Sequence, residues 1–324
     1  MTERVPEVLR PEHPMPRFLV DLVREFEFEV AENIDGLEIT GITLSSKTVL
    51  PGDLYVGLAG SNAHGAQFVD DAKANGAVAI LTDASGASLS DRSGLPVLIA
   101  SDPRAILGQL SAWVYRTGEN PPTLFGVTGT NGKTSVAYLL EAILSQLGVT
   151  VGLSSTAERR IGSLVMSSTL TTPEAPDVHG LLARMHEADA HAVVIEVSAH
   201  ALTRHRVDGI LFDVVGFTNL THDHLDDYVS MHDYFEAKQQ LFQPERARRG
   251  VIITDAEWGQ RLAQTAAIPV TTISTYPGRP ADWYAAIVQE TPHKTRFVLR
   301  GPDGQTLTTS VPILGRYMAE NAAL

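Results

Sequence analysis

Residues 126–134, Gly-Val-Thr-Gly-Thr-Asn-Gly-Lys-Thr, contain the residue types that grip a polyphosphate. The apolar pair Leu124 and Phe125 precedes them, and Val136, Leu139, Leu140, Ile143 and Leu144 follow at helical spacing. A strand, a glycine-rich turn and a helix start would aim backbone N–H groups and the positive helix end at an anion. Lys133 adds a point charge for the outer phosphates, and Thr134 a hydroxyl for the accompanying Mg²⁺. The spacing departs from the commonest one, because position 127 is Val and the usual first glycine is missing or displaced. A Gly/Thr loop that merely contains a lysine is the plain alternative.

Three further positions could join this chemistry. Glu196 ends the run Ala192-Val-Val-Ile, where a carboxylate needs a partner or a cation. Mg²⁺ suits it, being a hard ion that prefers oxygen ligands, and an ordinary strand-end ion pair is the other account. Thr218-Asn-Leu-Thr-His-Asp-His-Leu-Asp-Asp227 crowds His222, Asp223, His224, Asp226 and Asp227 together. A solvated polar loop would read the same way, and the spacing does not favour zinc. Lys238 lies on the apolar stripe of Met231, Tyr234, Phe235 and Leu241 or Phe242, where lysine is unusual. Either its stem packs while the charge snorkels outward, or the amine is buried, which favours the neutral form. A neutral amine can take up CO₂ as a carbamate, an anionic group able to ligate a metal.

The elements that must position these residues read as α/β. Phe18, Leu19, Leu22, Val23 and Phe26 fit one helical face. Apolar runs at 39–44, 54–58, 78–81 and 97–100 alternate with helical stretches at 66–74 and 104–115, making a small α/β domain over 1–120. Glu119-Asn-Pro-Pro122 reads as a linker. A second domain, 123–324, has buried-strand candidates at 124–128, 192–197, 214–217, 251–254 and 270–273, a pattern that predicts a mostly parallel sheet covered on both faces. Polar clusters at 128–134, 196–206 and 218–227 follow three of these strands, at the carboxyl ends where such sheets bind ligands. Strands at 285–289, 296–299 and 307–314, with a turn at Gly301-Pro-Asp-Gly304, add an antiparallel set. The sequence then stops inside a helix begun at Arg316.

The net charge of −13 argues against a nucleic-acid surface, and the absence of cysteine excludes disulfides, thiolate zinc sites and thiol catalysis. No run approaches the roughly 18 apolar residues of a membrane span, and the charged, proline-containing start is no signal peptide. A cytoplasmic chain without membrane insertion is expected.

Taken in order, the motifs resemble the Mur ligases of peptidoglycan synthesis, most closely the MurE type. The resemblance rests on Ser45-Ser-Lys47, Pro51-Gly-Asp-Leu-Tyr55, Gly60-Ser-Asn-Ala-His-Gly65, Thr128-Gly-Thr-Asn-Gly-Lys-Thr134 and Thr171-Thr-Pro173. It continues through Glu196-Val-Ser-Ala-His200, His205-Arg-Val207, Phe217-Thr-Asn-Leu220, Asp223-His-Leu-Asp226, Ala237-Lys238 and Gly315-Arg-Tyr317.

The resemblance implies an N-terminal UDP-substrate domain and a central P-loop-type ATP domain. It implies an ATP- and Mg²⁺-dependent ligase, acting as a monomer. That enzyme would add meso-diaminopimelate or L-lysine to UDP-N-acetylmuramoyl-L-alanyl-D-glutamate through an acyl phosphate. Gly129, Thr130, Asn131, Gly132, Lys133, Thr134, Ser135 and Asn321 would hold ATP. Thr134, Glu196, His224 and a carbamylated Lys238 would hold metal, with Lys133 and Lys238 at the catalytic centre. Ser46, Asn62 and Ala63 would lie near the uridine, while Thr171, Thr172, Ser198, Arg204 and Arg206 would hold the muramoyl-dipeptide.

Ala199 replaces a usual Ser, Arg204 a common Gln, and Met318 the first Asn of the nucleotide-pocket pattern. The family's third domain and its selectivity motif are not in this sequence, so a truncated ligase is one expectation and a nucleotide- or UDP-sugar-binding module without ligase activity the other. Asp102-Pro-Arg104 looks superficially like that motif but reads as a helix start.

Overall fold

Every residue of Ala192-Val-Val-Ile-Glu196 is buried in the computed structural model, as a strand covered on both faces requires. The structure describes residues 10–168, 170–222 and 227–324. The chain divides into two units, with the change falling between Asn120 and Pro121.

The first unit opens with a short antiparallel pair, β1 (Arg17–Phe18) and β2 (Glu38–Ile39), around helix α1 (Leu19–Glu25). A parallel four-stranded sheet follows, in spatial order β3 (Gly41–Thr43), β4 (Asp53–Gly57), β5 (Ala79–Thr82) and β6 (Val97–Ile99). Helices α2 (Val69–Ala74), α3 (Ala84–Ser90) and α4 (Pro103–Tyr115) connect and cover it. Leu19, Leu22, Ile42, Leu54, Leu81, Leu98, Leu107 and Leu110 share one buried cluster, while Tyr55, Ala66, Val69, Ala72 and Ile80 form a second, so the sheet is covered on both faces.

The second unit is built on an eleven-stranded sheet. Strand β7 (Thr123–Thr128) leads through the glycine-rich turn into α5 (Lys133–Gln146). Next come β8 (Val151–Ser154), β9 (Glu158–Ile161) and β10 (Leu164–Ser167). The following helix, α6 (Ala175–Glu187), belongs to the first unit, as does the turn 204–210. The sheet resumes with β11 (Ala192–Glu196), α7 (Ala199–Thr203), β12 (Phe212–Phe217), α8 (Met231–Gln239), β13 (Ala247–Ile253), α9 (Glu257–Thr265) and β14 (Val270–Ser274). It ends with β15 (Trp283–Thr291), β16 (Lys294–Arg300), β17 (Thr306–Val311) and helix α10 (Arg316–Ala323).

The spatial order is β10-β9-β8-β11-β7-β12-β13-β14-β15-β16-β17. Pairing is parallel from β8 to β15, and antiparallel in the flanking β8–β9–β10 and β15–β16–β17 sets. β7 sits between β11 and β12, so the ends of those three strands, which carry the expected polar clusters, are neighbours. No helix among the described residues is long and apolar enough to cross a membrane.

Candidate active site around a phosphate-type loop

The loop after β7 is shaped by two glycines. Gly129 has φ +146°, and a Cβ there would lie 1.9 Å from Thr218 Oγ1. Gly132 has φ +88°, and its Cβ would lie 2.6 Å from Asn321 Oδ1. Both conformations are costly for any side chain, and both faces are already filled. The tip of β12 braces the loop from the side. The Thr130 N–H donates to Asn219 O at 2.9 Å and the Asn131 N–H to Asn219 Oδ1 at 3.0 Å. Thr218 Oγ1 and Asn219 Nδ2 donate to Asn131 O at 2.6 and 3.1 Å.

Lys133 opens α5 and folds back over the loop, its Nζ donating to Gly129 O and Thr130 O at 3.0 Å each. Lys238 reaches the same carbonyl from α8: its Nζ donates to Gly129 O at 3.0 Å and lies 4.5 Å from the Tyr234 ring centroid. The residue is 1 % exposed, so the amine does not snorkel. Ser230 caps the helix that presents it, its Oγ accepting the Asp233 N–H at 3.2 Å.

Glu196 ends β11 with no exposure at all. It is no ordinary ion pair: among the described residues its partners are neutral donors. Thr134 Oγ1 donates to Oε2 at 3.1 Å, Thr156 Oγ1 to Oε2 at 3.0 Å, and the Thr156 N–H to Oε1 at 3.0 Å. Thr156 was not singled out in the sequence; the signal available was the Ser154-Ser-Thr156 run directly after an apolar stretch. Tyr234 was read only as a core residue, yet it lies beneath the Lys238 amine and its hydroxyl is 3.5 Å from Thr130 Oγ1.

Around Glu196, Thr171 Oγ1 lies 3.1 Å from Thr156 Oγ1 and can donate to it, since the Thr156 proton goes to the carboxylate. Thr172 Oγ1 donates to Glu196 O at 2.8 Å and accepts the Ser198 N–H at 3.1 Å, while Ser198 Oγ accepts from the Ala201 N–H. Met318 packs in an apolar cluster with Ala285, Phe297, Val311 and Ala319, so its side chain serves the core of this unit. Ser135 is half-buried in the first turn of α5. His224, with Asp223 and Asp226, lies outside the described residues.

The remaining candidates are in the first unit. Asn62 and Ala63 are exposed, and Ser46 is buried in a short 3-10 turn with its carbonyl accepting from Asn75 Nδ2 at 2.8 Å. Arg204 is exposed. Arg206 Nη2 pairs with Glu174 Oε1 at 2.7 Å, and Arg104 Nη1 takes the other oxygen of the same carboxylate at 3.0 Å.

The family of Mur ligase middle domains matches residues 127–324, and the Mur ligase family catalytic domain matches residues 38–115. Among curated relatives, a UDP-N-acetylmuramyl-tripeptide synthetase of Leifsonia xyli is 59 % identical over 324 residues, covering all of this chain and 63 % of that protein. The chain belongs to the Mur ligase family.

A UDP-N-acetylmuramoyl-L-alanyl-D-glutamate–2,6-diaminopimelate ligase of Streptomyces coelicolor is 45 % identical over 284 residues, covering 88 % of this chain and 56 % of the relative. This Mur ligase chain thus spans roughly three fifths of the length of these relatives. A solved structure of a ligase of the same diaminopimelate type superposes with TM-score 0.80 at 23 % identity, over 95 % of this chain and 62 % of that one, which shows the fold. The α/β architecture with a parallel first sheet and a large mixed central sheet is therefore that of Mur ligases.

Proposed function

We propose that the protein is an ATP-dependent acid–amino-acid ligase. It adds the third peptide residue, meso-diaminopimelate or L-lysine, to UDP-N-acetylmuramoyl-L-alanyl-D-glutamate in the cytoplasm. One observation carries this reading: Lys133 and Lys238 converge on the carbonyl of Gly129, beside Thr134 hydrogen-bonded to a fully buried Glu196. A lysine at a loop of phosphate-binding shape, a second buried amine beside it, and a carboxylate next to the Thr134 hydroxyl match the demands of phosphoryl transfer on a metal-bound phosphate. The names of the relatives support the peptide-adding role.

A carboxylate is a poor electrophile. In the proposed reaction the terminal D-glutamate carboxylate attacks the γ-phosphorus of ATP, ADP leaves, and an acyl phosphate forms. The incoming amine attacks the acyl carbon, loses a proton, and inorganic phosphate leaves from the tetrahedral intermediate. The loop N–H groups and Lys133 bind and orient the phosphates, and they offset charge on the transferring group. The donor set around Thr134 and Glu196 is of hard oxygen, which fits Mg²⁺. Thr134 and Glu196 would hold it, joined by His224 and a carbamate on Lys238; Mg²⁺ there supplies charge neutralisation to the phosphate oxygens. The carbamate forms when the neutral Lys238 amine adds to CO₂ and releases a proton. Substrate contacts are proposed at Ser46, Asn62, Ala63, Arg204 and Arg206 of the first unit and at Thr171, Thr172 and Ser198 of the second.

The test is ADP release by the purified protein with the UDP-muramoyl-dipeptide, Mg²⁺-ATP and each amine in turn. Release that needs both the dipeptide and one amine, with a product of the added mass, is expected. Binding of ATP and the UDP-dipeptide without release under any amine favours a binding module instead.

A further inference from the structure

Behind the exposed loop Gly60–Ala63 stands a histidine whose two ring nitrogens have different jobs. His64 Nδ1 accepts the Ala66 N–H at 3.1 Å and so starts the 3-10 turn Gly65–Phe68. An accepting Nδ1 leaves the proton of the neutral ring on Nε2. Nε2 faces Asp83, 3.3 Å from Oδ1 and 3.2 Å from Oδ2. Asp83 is itself fixed as the cap of α3. Its Oδ1 accepts the Ser85 hydroxyl at 2.6 Å and the N–H groups of Ser85 and Gly86 at 2.9 and 2.8 Å. Those bonds, the Ser85 hydroxyl foremost, hold its carboxyl well below the usual carboxylate range, so it remains an acceptor.

A separate observation points the same way. A Cβ on Gly86 would lie 2.5 Å from His64 Cε1 and 1.9 Å from Thr82 Oγ1. Gly86 has ordinary helical placement, so what it provides is space, shared by the Thr82 side chain and the His64 ring. The loop is closed by its own backbone: Ala59 bridges His64, the Gly60 N–H donates to Ala63 O at 3.1 Å, and the Gly65 N–H donates to Leu58 O at 2.7 Å. Asn62 and Ala63 stand exposed at the tip.

We propose that His64 is a positioning residue, held as the Nε2–H tautomer between Ala66 and Asp83, which sets the loop Gly60–Ala63 for the uridine end of a UDP-linked substrate. The proposal rests on the UDP-muramoyl reading above. His64 acts through the loop backbone, so its loss weakens nucleotide-sugar binding and leaves the chemical step alone.

The experiment is calorimetric titration of the full chain with UDP-N-acetylmuramoyl-L-alanyl-D-glutamate, for the unaltered protein, His64→Ala, Asp83→Asn and the double variant. Each single variant should raise Kd about tenfold, the scale of one hydrogen bond to a charged group. The double variant should be no worse than either single one, because both remove the same strut. In turnover, KM for the UDP substrate should rise while kcat holds. Unchanged ATP affinity and near-normal melting separate this from general loss of fold. Nitrogen-15 NMR of the unaltered protein should show the His64 proton on Nε2. A ring protonated on Nδ1 instead, or unchanged Kd in His64→Ala, would overturn the role while the proposed function stands. No binding by the unaltered protein overturns the proposed function, and this role with it.

Discussion

His179 in the first unit and Lys238 in the second are both buried, yet they are held by partners of different kinds. The His179 ring receives the Thr117 hydroxyl at Nδ1 at 2.7 Å and donates from Nε2 to Asp208 O at 2.9 Å. Both nitrogens of a neutral imidazole are thereby satisfied by neutral groups, and burial pushes the ring down to about 4. Lys238 instead shares an acceptor with a second lysine, since Lys133 also donates to Gly129 O. Two ammonium groups on one carbonyl repel, so the pair favours a neutral Lys238, the form that takes up CO₂. A buried group matched by neutral partners is part of the frame. Two lysine amines gathered on one carbonyl at a strand end mark a place for chemistry.

The strongest way to break this contrast is to remove the amines. Lys133→Ala should lower ADP release by about 10³-fold, the scale seen when one transition-state donor is lost. Lys238→Met keeps the length over Tyr234 and deletes the amine; it should cost about 10²-fold or more if the group serves the metal set. Full activity in Lys238→Met would return Lys238 to the frame, alongside His179.

His179 offers the converse test, through stability. Its folded value is depressed, so between about pH 6.5 and 4 the unfolded ring binds a proton that the native ring refuses. More protons bound in the unfolded state means stability falls as pH falls through that window. The contribution is fully present above about 6.5, and about 3 kcal/mol is lost by pH 4. His179→Asn should be less stable at neutral pH and should lack this limb. Urea midpoints of both proteins across pH, compared by difference, check it; an identical acid limb would show that His179 is not the group responsible.

Whether such contrasts can be read beforehand depends on how local their causes are. The strands expected at 192–197 and 214–217, observed at 192–196 and 212–217, were legible because runs of Val, Ile and Phe need cover on both faces. The place of Lys238 on the apolar stripe followed from its spacing to Met231 and Tyr234, a local helical fact, whereas the burial of its amine rather than snorkelling is decided by the tertiary packing. Strands β8 to β10 were not anticipated: each has four residues, Gly152 interrupts the first, and Arg159 is buried within the second. That α6 joins the first unit was equally hidden, because contacts such as His179 with Thr117 are long-range. The Glu174 bridge between Arg104 and Arg206 is hidden for the same reason, since charge pairing across distant segments leaves no periodic trace.

The smallest effect sharpens the contrast at a position where sequence likeness alone would mislead. Asp102-Pro-Arg104 looks like a ligand-reading motif, but Asp102 Oδ1 accepts the N–H groups of Arg104 and Ala105 at 3.1 Å each. Pro103 stands in the first turn, where its missing N–H costs nothing. This is an N-cap, and α4 supplies Leu107, Leu110 and Val114 to the first core. Asp102→Ala should cost about 1 kcal/mol and lower Tm by a few degrees, with KM for every substrate unchanged. Asp102→Asn or Ser, which also cap, should restore most of that stability. A raised KM for any substrate in Asp102→Ala, with Tm intact, would move Asp102 from the frame into a binding site and undo the distinction drawn from His179.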